Sequence, residues 1–453
     1  VVIFLFYTVM IYRLGANPTA MISSRSNDPY LSRFIENYNT LKNDWYYFNS
    51  NEEVIEKATD AMLSSNDNDV YSEYISAKDS ETYFDDLESD FVGLGIRYII
   101  INDYPMVVDI YEGSPAQKSG MKIGDYLIKI DDTSLKGLKQ DDIKKKIVGK
   151  EGTIRTVEFS NTKQNKIAKI TIKALDGSVN YRVIDGIGYI HILDFSRTMP
   201  INVEKALKEF QKNNVKKVIL DLRDNPGGYL DALERLADLF LPSNQIVLSA
   251  KDKSGTINSY KTTDNKVYNF NYVLLTNKGT ASAAEGFVAC LNENLKVPIY
   301  GQTTFGKGIM QSFFKYNDDA YLKYTSAEWL TPKGNMINKI GIKPTYELKN
   351  NIIVNLDNER KTVSQDIKNN TVNNNLGYYQ KALNALSYHV DRTDGYYSTT
   401  TNKAIVLFKN DFNLSSEKDL SKKVQAEIIR QITIKANSSR NDDVLNKVMD
   451  ILK

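Results

Sequence analysis

The sequence predicts a multidomain α/β protein, and three observations carry that prediction. At 453 residues the chain is long enough for several domains. Between residues 188 and 300, short apolar runs alternate with glycine-bearing turns and helical stretches, the pattern of a mainly parallel sheet with helices packed on it. At both ends, over 28–76 and 376–434, apolar residues recur at helical spacing.

Composition narrows the function. Lys and Arg number 58 against 56 Asp and Glu, a formal charge of +2, so no nucleic-acid partner is expected. A single cysteine, Cys290, excludes an internal disulfide and reads as a buried structural thiol. Two histidines, His191 and His389, are too few for a His-rich metal centre, and no metal or cofactor is expected. They are also the only candidates for the histidine of a Ser-His-Asp triad.

The chain opens on the uncharged apolar run Val1 to Tyr12, too short for a span of about 20 residues. It reads as the end of a signal anchor or signal-peptide core, with a polar exit up to residue 27. The expectation is a protein outside the cytoplasmic membrane, in a bacterial cell envelope, held by an N-terminal transmembrane segment; a buried helix is the alternative. Leu31, Phe34, Ile35, Tyr38, Leu41 and Trp45, then Val54, Ala58, Ala61 and Met62, fit two amphipathic helices. Further on come Gly93-Leu94-Gly95-Ile96 and the run Gly113-Ser114-Pro115-Ala116 to Gly124-Asp125.

From Gly188 the α/β pattern begins. Gly188 to Ile192 reads as a strand with His191 pointing outward, followed by a helix through Val203 to Phe210 and a strand from Val215 to Leu222. The turn Asn225-Pro226-Gly227-Gly228 and a helix from Leu230 to Leu241 come next. Asn271 to Thr276 is a strand, Asn277 to Thr280 a turn, and a helix starts at Ala281, which puts Ser282 at a helix N-terminus, where free N–H groups favour negative charge. After the strand Val297 to Tyr300, Lys307 stands between Gly306 and Gly308, with Gln311 four residues on. Serine, lysine and amide are the parts of a Ser–Lys acyl-transfer site. Taken singly, each has a plainer reading: an N-cap, a solvated loop lysine, a tight turn.

These motifs together resemble the C-terminal processing peptidases, the tail-specific serine proteases. Thr280-Ala281-Ser282-Ala283-Ala284-Glu285 is similar to that family's nucleophile turn, Gly306-Lys307-Gly308-Ile309-Met310-Gln311 to its G-K-G-x-x-Q segment, and Asp221-Leu222-Arg223-Asp224-Asn225-Pro226-Gly227-Gly228 to its L-D-L-R-x-N-P-G-G. The resemblance implies that Ser282 is the nucleophile, Lys307 the general base and Gln311 its orienting partner. Such a lysine must act uncharged, which burial and the nearby helix N-terminus favour. Gly227 or Gly228 would supply one oxyanion N–H and Ala283 the other. Residues 90–174 resemble a PDZ domain, in which Gly93, Leu94, Gly95 and Ile96 would receive a peptide C-terminus as the peptide adds as a strand. Val148 stands where that family often has arginine.

Asp394-Gly395-Tyr396-Tyr397-Ser398 to Lys409 resembles the signature of small helical peptidoglycan-binding domains, with Ser398 for Gly and Lys409 for Gln. The expected order is therefore 1–27 truncated anchor and polar exit, 28–89 helical region, 90–174 PDZ β-barrel-like domain, 175–349 peptidase core, 350–375 linker and 376–453 helical C-terminal domain and tail. The expected partners are protein or peptide C-termini as substrate, peptidoglycan, and a second copy through the N-terminal helices. Two competing readings are a catalytically silent scaffold that captures C-termini and wall, and a Ser-His-Asp hydrolase using His191.

Overall fold

A computed structural model describes residues 28–67, 69–87, 90–161, 164–264, 267–363, 365–438 and 442–453. They divide into two units.

One unit comprises residues 28–87, 250–257 and 309–328. The periodicity at its start produces the helices Pro29–Asp44 and Asn51–Leu63, capped by Asp28 and Ser50, whose side chains accept N–H groups of the first turn. Neither helix buries a residue: Leu31, Phe34, Ile35 and Leu41 all stay exposed. The strand Glu73–Ile75 pairs antiparallel with Tyr321–Leu330, which pairs on its other side with Ile309–Lys315. Thr325 donates to Asp69 (3.0 Å), and its N–H to Ser72 (2.9 Å). Phe84, on the helix Ala77–Leu87, packs its ring at a tilt against Phe313 and edge-on against Tyr321, with centroids 5.4 and 4.8 Å apart. Strand pairing thus joins 309–328 to the N-terminal segment.

The other unit holds everything else. Its first part is a sheet in the order Ile96–Ile101, Tyr104–Ile110, Tyr126–Ile130, Ile154–Ser160, Asn165–Thr171, with the helix Gln140–Ile147 closing a core of Leu94, Val107, Leu127, Ile143, Val157 and Phe159. The second part is a six-stranded sheet: Val179–Ile184, Ile187–Ile192, Lys217–Asp221, Asn271–Thr276, Ile299–Gly301, Tyr346–Glu347. Its first pair is antiparallel and the rest parallel. The helices Met199–Lys212, Leu230–Ala237 and Ala283–Leu295 supply the crossovers, as apolar strands buried on both faces require. Cys290 lies fully buried on the last of these, and burial pushes its thiol up to about 12.

The C-terminal helices Leu376–Ala385, Thr399–Asp411 and Lys422–Ala436 share one core with Ile101 and Met106 of the first sheet. Residues 350–375, read above as a linker, carry the helix Ile352–Asn358 and bury Ile353, Leu356 and Ile367, the last two in that same core. The expected membrane anchor is not supported: among the described residues no helix is long and apolar enough to cross a membrane. The run Val1 to Tyr12, on which that expectation rested, lies outside the described residues.

Candidate active site

Ser282 stands where the strand Asn271–Thr276 turns into the helix Ala283–Leu295, with φ 57° and ψ −123°. A non-glycine residue holds positive φ only when its surroundings impose it. Here they do: Thr280 Oγ1 donates to Leu222 O (2.7 Å), Ala281 N–H to Asn225 O (2.8 Å), and Asn277 Oδ1 accepts Asp224 N–H (2.9 Å).

The decisive contacts are made by Glu285, one turn into the helix and fully buried. One carboxylate oxygen accepts Ser282 N–H (2.9 Å) and Lys307 N–H (2.8 Å); the other accepts Thr304 Oγ1 (2.5 Å) and Gly306 N–H (2.7 Å). Because the amides of Ser282 and Lys307 share one acceptor atom, their nitrogens lie no further apart than those two bonds laid end to end. Desolvation pushes the Glu285 pKa up, against the pull of the four donors.

The loop carrying Lys307 is fixed on every side. Phe305 N–H donates to Thr280 O (2.9 Å), Lys339 N–H to Gly306 O (2.7 Å), and Trp329 Nε1 to Lys307 O (3.0 Å). The flanking glycines are required because a Cβ on Gly306 would come within 2.9 Å of Gly341 N, and one on Gly308 within 2.5 Å of Asn338 N. Lys307 itself is half-buried.

Asn225 builds the glycine turn. Its Nδ2 donates to Ile192 O (2.8 Å) while its Oδ1 accepts Gly227 N–H (2.8 Å). The turn abuts the serine: a Cβ on Gly227 would lie 2.7 Å from Ser282 Cβ and 2.8 Å from Ala283 N. Gly227 N–H is thus committed to Asn225. Below the turn, Arg223 lies between the carboxylates of Asp221 and Asp442. Burial alone would raise the Asp221 pKa, but Arg223 and then His191 outweigh it and hold the carboxyl at about 2.

The other expected residues are placed as follows. Gln311 belongs to the other unit, on the strand Ile309–Lys315, opposite Thr325 and next to a bulge; its Nε2 is buried and makes no hydrogen bond. His191 is half-buried on its strand, with Nε2 3.5 Å from Arg223 O and its ring against Tyr189. His389 is exposed in the C-terminal region. Gly93 bridges to Val148; Leu94 is buried and accepts Ala116 N–H (2.9 Å); Gly95, at φ 82°, accepts Tyr111 N–H (3.1 Å). Ile96 opens the edge strand of its sheet. Sequence reasoning assigned no role to Glu285, although Ser282-x-x-Glu285 is the spacing of a capping box. It also passed over Asp442, whose only local mark is its place as the cap of the helix Asp443–Leu452.

Residues 186–348 match the model of peptidase family S41, and residues 86–157 that of the PDZ domain. A "Probable CtpA-like serine protease" of Staphylococcus haemolyticus (strain JCSC1435) is 31% identical over 422 residues, covering 92% of this chain and 84% of the relative. The chain belongs to peptidase family S41. This S41 chain is a serine-type peptidase with a PDZ domain, of the C-terminal processing group. Its counterpart in Staphylococcus aureus (strain N315) is likewise 31% identical, over 427 residues, covering 92% of this chain and 84% of the relative. Among solved structures, the photosystem II D1 C-terminal processing protease aligns at 23% identity and a TM-score of 0.44, over 70% of this chain and 87% of that one.

Proposed function

We propose that this S41 peptidase is an endopeptidase that cleaves proteins recognised through their C-termini, with Ser282 as nucleophile and Lys307 as general base. The observation that supports this reading is the Glu285 oxygen shared by the amides of Ser282 and Lys307. In the reaction, neutral Lys307 takes the hydroxyl proton as Ser282 Oγ bonds to the scissile carbonyl carbon, then returns it to the departing amine. Water hydrolyses the acyl-enzyme by the same exchange. The N–H groups of Gly228 and Ala283 are the proposed oxyanion donors. Gly93 to Ile96 receive the substrate carboxylate, and the edge strand at Ile96–Ile101 pairs with the bound peptide. The exposed apolar face of Pro29–Asp44 favours a homodimer through these helices, read by analytical ultracentrifugation. Peptidoglycan, the other partner implied by the tail signature, is read by co-sedimentation with purified wall.

One experiment tests the core of the proposal. An unstructured protein with an apolar C-terminus, free or amidated, is incubated with unmodified enzyme, Ser282→Ala and Lys307→Arg. Cleavage by the unmodified enzyme alone, slowed by amidation, is the expected result; arginine keeps the charge but cannot serve as base. Cleavage by folded Lys307→Arg at the normal rate removes the Ser–Lys assignment. Capture of the free terminus without cleavage by any form favours the scaffold.

A further inference from the structure

The helix Asp443–Leu452 lies on the peptidase sheet, where Val444, Leu445, Val448 and Met449 are buried in one cluster with Ile219 and Leu275. Both its ends are tied to the strand Lys217–Asp221 and the residues that follow it. At the C-terminal end, Lys217 Nζ donates to Leu452 O. At the N-terminal end, Asp442 caps the helix by accepting Leu445 N–H (3.0 Å), and the same carboxylate accepts Arg223 Nη1 and Nη2 at 2.8 Å each.

Arg223 is held from both sides. Its Nε reaches both oxygens of Asp221 (2.9 and 3.0 Å), Nη2 also donates to Asp221 Oδ2 (2.5 Å), and its own N–H bonds Asp221 Oδ1 (3.0 Å). Two residues further along, Asn225 starts the turn that abuts Ser282. A planar guanidinium gripped in two fork geometries fixes the backbone that carries it far better than one grip does. Removing the outer carboxylate strips Nη1 of its partner and leaves a largely buried cation half satisfied.

We infer that Asp442 is a positioning residue for the catalytic turn: acting through Arg223, it makes docking of the C-terminal helix a condition of full turnover. The inference rests on reading the 225–228 turn as part of the oxyanion site. The S41 peptidase therefore carries, 219 residues downstream of Arg223, a clamp on its own active site.

The test uses the full chain with Asp442→Asn and Asp442→Ala. Asparagine caps a helix as well as aspartate, so Asp442→Asn removes the ion pair and keeps the cap. In both variants kcat should fall on the order of tenfold with KM within about twofold. Amide hydrogen exchange over 222–229 should quicken while 430–436 keeps its protection, and Asp442→Asn, which keeps the cap, should melt closer to the parent than Asp442→Ala does. Parental kcat and exchange in Asp442→Asn, with loss confined to a destabilised Asp442→Ala, would reduce Asp442 to a helix cap and overturn the inference. If the unmodified chain proves inactive yet its turn still loosens in Asp442→Asn, the coupling stands and the Ser282–Lys307 assignment falls.

Discussion

At one carboxylate, two loops separated by some twenty residues of chain become a single site. Glu285 is fully buried and offers two oxygens to four donors, so each of those bonds depends on it. Glu285→Gln turns one oxygen into an NH2 group that faces two donors, whichever oxygen it replaces. Turnover should drop on the order of a hundredfold while circular dichroism stays native, because the loops that carry Ser282 and Lys307 lose their common anchor. A second carboxylate adds a pH dependence to the stability of the fold. Burial, then the charges of Asp231 and Asp238, lift Glu234 from 4.5 to about 7. The folded protein therefore holds a proton that the unfolded chain has released, and stability is lost as pH rises through that interval. Glu234→Gln should leave the melting temperature unchanged near pH 4 and raise it near pH 8; an equal shift at both values would contradict the assignment.

Secondary-structure elements meet at the active site through glycine. The strand Lys217–Asp221 and the helix Leu230–Ala237 are joined by a turn that must pass within contact distance of the serine, and only a residue without Cβ can do so. Gly227 has φ 96°, and its missing Cβ would overlap Ser282 Cβ, Ala281 O and Ala283 N. Gly227→Ala should cost about 1–3 kcal/mol in urea unfolding and reduce kcat by well over tenfold, since neither backbone can withdraw. Gly186 is a matched control, at φ 81° with nothing near its absent Cβ. Gly186→Ala should cost about 1 kcal/mol and leave kcat alone.

Across the larger unit, the C-terminal helices pack on the PDZ sheet through a core of their own that takes in Ile101 and Met106. Arg430, on the helix Lys422–Ala436, donates to Gly124 O (2.6 Å), Asn161 O (3.2 Å) and Glu427 (2.8 Å), and both members of that ion pair are buried. Arg430→Ala leaves Glu427 buried without its counterion, a loss of roughly 3 kcal/mol. Because Ile101 and Met106 share one apolar core with Tyr379 and Ile429, residues 90–174 and 376–436 should unfold in one calorimetric transition. Two separate transitions would show that the C-terminal module stands alone, as the sequence suggested.

By itself the sequence determined what depends on neighbours along the chain. Alternation and helical spacing marked the strands Ile187–Ile192, Lys217–Asp221 and Asn271–Thr276 and the helices between them, because side-chain period is a local property. Ser282 at a helix start, Lys307 between glycines and the Gly227-Gly228 turn were legible because each imposes its own backbone geometry on a few adjacent residues. Tertiary structure decided every pairing. Periodicity identified apolar faces without saying what covers them: the face of Pro29–Asp44 stayed exposed, whereas that of Lys422–Ala436 met the PDZ sheet. The stretch 350–375 looked like a linker from its polar composition, yet Leu356 and Ile367 are core residues, since a few well-placed side chains suffice to dock a polar segment. Gln311 was legible as an amide four residues from Lys307, but strand pairing alone assigns it to the unit that holds Glu73–Ile75. Glu285 was in plain view, yet its hold on Lys307 appears only once the loop returns to it. Asp442 could be read only as a helix cap, because an ion pair across 219 residues is written in the fold and not in the spacing.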